Sequence, residues 1–73
     1  MACQVNIHYF VDGDVYADIA NFSEDSYCGF LTDTVYLDGA DETDWKAFTG
    51  TLEECKAFCD EHNLEYHVCS GVN

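Results

Sequence analysis

The sequence predicts an α+β domain: a small, antiparallel-dominated sheet of four to five strands with one helix packed on one face, in the order β-β-β-β-α-β. Three observations carry that expectation. Apolar residues alternate with polar ones near the N-terminus, Asp-Gly pairs punctuate the chain, and one later stretch changes to helical spacing behind a capping signature.

Each element follows in order. Cys3, Val5, Ile7, Tyr9 and Val11 are apolar, whereas Gln4, Asn6 and His8 between them are polar, with Phe10 the exception. That period of two predicts a half-buried strand. Asp12-Gly13 is a tight-turn signal, and it leads to a second strand with Val15, Ala17 and Ile19 on one face and Asp14, Tyr16 and Asp18 on the other. After the polar stretch 21–26, the run from Tyr27 to Leu37 is rich in strand formers and predicts a third strand. Asp38-Gly39 opens another turn, and a fourth strand is expected over Asp44–Thr49. Thr51 and Glu54 have the spacing of a capping box, in which the hydroxyl and the carboxylate each reach the other's backbone N–H. Leu52, Cys55, Phe58, Cys59 and His62 then share one helical face. Asn63 tolerates the left-handed conformation that stops a helix. A closing strand over 64–69 turns Leu64, Tyr66 and Val68 inward.

Length allows one domain, 1–73, with a small core. At 48% hydrophobic and 15% aromatic residues the chain is too apolar for a disordered acidic tail, so it is expected to fold. Neither a charged start with an apolar run nor a long apolar stretch is present, which predicts a cytoplasmic protein that does not engage membranes.

Charge is the dominant feature. Fifteen Asp and Glu against two Lys and Arg together give a formal charge of −13. No direct nucleic-acid binding is expected, because the phosphate term would be repulsive. A strongly positive protein partner is the expectation. The candidate partner-binding residues are Asp12, Asp14, Asp18, Glu24, Asp25, Asp38, Asp41, Glu42, Asp44, Asp60 and Glu61, with Tyr16 and Trp45 as aromatic anchors. Asp12, Asp14 and Asp18 are expected on the open side or rim of the sheet. Carboxylates two residues apart on a strand stand roughly 6.6 Å apart, on the scale of neighbouring phosphates. Asp60 and Glu61 in the last helical turn oppose the helix dipole at about 0.3–1 kcal/mol each, so a role beyond stability is expected of them.

Other chemistries have weaker signatures. Cys55, Cys59, His62, His67 and Cys69 could form a small metal-binding or redox domain, but the compact paired-cysteine spacing of structural zinc sites is missing. Five cysteines without an export signal are read as buried free thiols. The two Asp-Gly segments lack the ligand alternation of a calcium loop. His8, His62 and His67 could pair with a thiol or carboxylate, but no nucleophile motif or phosphate-binding glycine loop accompanies them. The expectation is therefore a protein with no catalytic residues, no cofactor and no resident metal.

In size, charge, absence of Arg and compact α+β pattern, the chain resembles the small acidic inhibitors made by bacteriophages, among them the DNA-mimic anti-CRISPR proteins and inhibitors of restriction or DNA-repair enzymes. The resemblance implies a non-enzymatic inhibitor. Its carboxylates would stand in for phosphates in the basic groove of a host effector, whether a CRISPR effector, restriction enzyme or nuclease. An immunity or antitoxin protein that neutralises a basic nuclease is the alternative. Pairing of two copies through an edge strand is a further possibility the pattern leaves open.

Overall fold

The computed structural model describes residues 2–22, 40–69 and 71–72. The third strand expected over Tyr27–Leu37 lies outside these residues, as do Glu24, Asp25 and Asp38. The described elements are β1 (Cys3–Tyr9), β2 (Val15–Asn21), β3 (Glu42–Gly50), α1 (Leu52–Glu61) and β4 (Glu65–Val68). The four strands form one sheet in the order β3-β1-β2-β4. The first two junctions are antiparallel and the β2–β4 junction is parallel, so the sheet is mixed, though mostly antiparallel.

The first hairpin closes where Asp12-Gly13 predicts it. Tyr9 pairs with Val15, Gly13 takes a φ of 98°, and the Asp12 Oδ1 accepts from the Asp14 N–H at 3.1 Å. Only glycine adopts that backbone conformation at little cost.

α1 is stapled at its start as the sequence indicates. The Glu54 N–H donates to Thr51 Oγ1 at 3.1 Å, and the Thr51 N–H donates to Glu54 Oε1 at 2.9 Å. Gly50 leaves room for this box, because a Cβ there would fall 2.7 Å from Glu54 Oε1 and the carboxylate would have to move. At the other end Asn63 takes a φ of 56° and the Leu64 N–H donates to the Cys59 carbonyl at 2.8 Å. The chain thereby turns directly into β4.

The helix covers one face. Cys55 and Cys59 pack onto Cys3, Val5, Ile7, Ala17 and Ile19, with Phe48, Leu52, Phe58, Tyr66 and Val68 around them. These small side chains let the helix sit close to the sheet, and all four described cysteines are buried free thiols. Burial raises the Cys55 thiol to about 11, with Cys3 and Cys59 adding to it. Burial likewise raises Cys59 to about 11.

One expectation needs correction. β1 is not half-buried: Gln4, Asn6 and His8, on the face away from the helix, are as buried as Val5 on the helix side. The strand lies inside the sheet between β3 and β2, and its polar side chains hydrogen-bond to one another and to neighbours rather than to water.

Candidate functional site

The strand directions place the acidic residues. β1 ends, and β2, β3 and β4 all begin, at the same edge of the sheet, since Tyr9 pairs with both Val15 and Glu42 while Tyr16 pairs with Glu65. Asp12 and Asp14 sit in the hairpin at that edge. Asp41, Glu42 and Asp44 open β3 there, and Glu65 opens β4. α1 starts at the far edge, after Gly50, and brings its C-terminus with Asp60 and Glu61 back toward the same place. All of these carboxylate residues are exposed. The last helical turn holds no basic residue, so the negative end of the helix dipole adds to the same field.

Tyr16 registers that field. Its phenol is raised above its ordinary value by Asp14 first, then by burial, Glu65 and Asp12. Charges from two separate segments, the hairpin and β4, therefore converge on one ring. The ring also packs edge-on against Phe10, with centroids 5.5 Å apart.

Apolar surface is interleaved with the carboxylates. Val11 at the hairpin tip is 90% exposed, and Tyr9 and Val15 are 41% and 37% exposed. These three are more exposed than the expected anchors Tyr16 and Trp45, which are both half-buried. Trp45 is half-buried, with its ring edge-on to His8 at 5.8 Å. Val11 lies in the turn, beyond the paired positions of β1 and β2.

Asp18 departs from its expected place. It is 1% exposed, so it belongs to the interior and not to the anionic surface. Its carboxylate pairs with His8 Nε2 through Oδ1. Through Oδ2 it accepts from Asn6 Nδ2 at 3.2 Å and from the Cys69 thiol at 3.4 Å. His8 Nδ1 lies 2.9 Å from Thr43 Oγ1. Asn6 Oδ1 accepts from Gln4 Nε2 at 2.9 Å and from the Lys46 N–H at 3.0 Å. That last bond holds an irregularity in which residues 45–47 of β3 stand against Asn6 alone, with Lys46 at a φ of 56°. The chain from Thr43 through His8 and Asp18 to Cys69 thus ties all three sheet junctions together. A carboxyl group this buried is tolerated because each of its oxygens is hydrogen-bonded.

Sequence reading missed this network. Its clue is that β1 has no carboxylate in a chain otherwise dense with them, only Gln, Asn and His on the alternate positions. These can satisfy one another without carrying like charge.

The five residues of the metal-domain alternative are not gathered. Cys55 and Cys59 face the core, and His62 is exposed with its ring tilted against Phe58. His67 pairs in register with Asp18 on the opposite face, beside Cys69. Among the described residues, no three His, Cys, Asp or Glu side chains are placed to hold a metal ion. Among the same residues, no helix is long and apolar enough to cross a membrane.

Comparison with known proteins returned no matching family model, no similar curated protein and no similar solved structure. The functional reading therefore rests on the chain's own residues.

Proposed function

We propose that this protein is a non-enzymatic inhibitor whose acidic edge enters the basic DNA- or RNA-binding groove of a host effector and stands in for the nucleic-acid backbone. One observation carries the reading: carboxylates from the hairpin, from β3, from the end of α1 and from β4 are delivered to one edge, with no lysine at the paired positions there. A surface built only to keep the chain dispersed gains nothing from that concentration and loses stability to repulsion. Long-range attraction would speed encounter with a positive groove, and salt would screen it. Val11, Tyr9 and Val15 supply apolar area that becomes desolvated once the carboxylates have oriented the pair. A CRISPR effector, restriction enzyme or nuclease has the required groove.

The test is capture from bacterial lysate at low and high salt, followed by competition with duplex DNA. The reading expects a basic nucleic-acid-binding protein that salt releases and DNA displaces. Capture of one nuclease that resists high salt would move the assignment to an antitoxin, and capture of proteins indifferent to DNA would overturn it.

A further inference from the structure

A shallow cleft of about 230 Å³ runs between β3 and α1, lined by Phe48, Glu54, Ala57, Phe58 and Glu61. Its floor is a stacked pair of rings, Phe48 and Phe58, with centroids 4.8 Å apart and planes 14° from parallel. Its size suits one side chain better than a free small molecule, whose sites are usually about 300 Å³ or more. Glu54 and Glu61 stand at its two ends, seven residues apart on the helix and so separated by about 10.5 Å along its axis. Both are exposed. One Glu54 oxygen, Oε1, is committed to the Thr51 N–H, which leaves Oε2 for a second donor.

An apolar floor between two carboxylates has a defined complement. In an extended peptide, residues two apart point the same way and lie about 6.6 Å apart. A basic residue, an apolar residue and a second basic residue at alternate positions would therefore span about 13 Å, which flexible Arg or Lys arms can close to fit the two glutamates.

We propose that the cleft binds an extended basic segment of the protein partner in the pattern basic-x-aliphatic-x-basic. The aliphatic side chain rests on Phe48 and Phe58, and the flanking cations pair with Glu54 and Glu61. The inference rests on the reading that the partner is basic, and it adds a contact that starts at Glu61 beside the acidic edge and runs along α1 to Glu54, one that salt screens only in part, since burial of the aliphatic group is insensitive to screening.

Two capped peptides test it: Arg-Ser-Leu-Ser-Arg and its equally charged control Arg-Ser-Ser-Ser-Arg, each titrated into the intact protein and followed by NMR of the Ala57 methyl and the Phe48 and Phe58 rings. The leucine peptide is expected to shift those signals and to bind at least about tenfold more tightly than the control, the factor that burying one Leu side chain supplies. Ala57→Gln, at an exposed helix position, should fill the cleft and remove that preference while the amide spectrum elsewhere is unchanged. Equal affinity for the two peptides, shifts confined to the hairpin and the start of β3, or no binding by either would each overturn the proposal. The lysate experiment decides the parent reading separately, because it depends on DNA competition and not on this cleft.

Discussion

Removing the carboxylate of Asp18 tests the interior network, and the structure sets the magnitude. Asp18→Ala leaves His8 Nε2, Asn6 Nδ2 and the Cys69 thiol facing an empty space, all of them groups that now bond the carboxylate. Breaking a buried pair from one side costs about 3–5 kcal/mol. A domain of this length has a total stability of about 4–11 kcal/mol at 0.05–0.15 kcal/mol per residue. The substitution should therefore remove about a quarter or more of it and lower Tm by at least about 12 °C, at 4 °C or more per kcal/mol. His8→Ala should cost a similar amount, because it strands the carboxylate. In the double variant the two losses should fall short of additivity by about 2–3 kcal/mol, the coupling of a directly bonded pair. Thr43→Val removes only the partner of His8 Nδ1 and should cost about 1 kcal/mol. Urea unfolding followed by the fluorescence of Trp45, whose ring meets His8 edge-on, reads all of these, with far-UV circular dichroism as a second probe. Single losses below about 1 kcal/mol that simply add would refute the reasoning.

Other outcomes follow from the same geometry. Tyr16 should titrate above an ordinary tyrosine, and Asp14→Asn should lower it more than Glu65→Gln or Asp12→Asn, read from the ring Cζ shift against pH. Added salt should shrink the differences. Cys55 and Cys59 ionise near 11 in the native state, whereas an unfolded thiol ionises about two units lower. Their contribution to stability should be complete below about pH 9 and fall as pH rises from there toward 11, and a thiol reagent at pH 8 should modify them only after urea is added. Thr51→Ala should cost about 1 kcal/mol by urea titration. Gly50→Ala should do much the same, because the new methyl group displaces the Glu54 carboxylate from the Thr51 N–H.

What was legible in the sequence is what local chemistry decides. The Asp12-Gly13 hairpin, the Thr51–Glu54 capping box, the Asn63 stop and the inward stripe of Cys55 and Cys59 each follow from residues within four positions of one another. What was not legible depends on sequence-distant pairing. Asp18 reads as the solvent side of an alternating strand, and nothing near it announces that His8, ten residues earlier, and Cys69, at the other end of the chain, will bond it. The parallel junction between β2 and β4 is set by the helix carrying the chain back across the sheet, which no period in β4 encodes. The acidic edge itself was half legible. The carboxylates were evident, but only the shared starting edge of β2, β3 and β4, together with the direction of α1, brings those of the hairpin, β3, helix and β4 to one place.

The most direct test is a DNA-competition assay on a captured partner, run across a salt series with two neutralised variants. One carries Asp12→Asn, Asp14→Asn, Asp41→Asn and Glu42→Gln at the acidic edge; the other carries Glu53→Gln at the far end of the helix. The acidic-edge variant should lose most of its ability to displace DNA and show a shallower salt dependence, whereas Glu53→Gln should match the unmodified protein. Undiminished displacement by the acidic-edge variant, with folding confirmed by circular dichroism, would contradict the claim that this edge takes the place of a nucleic-acid backbone.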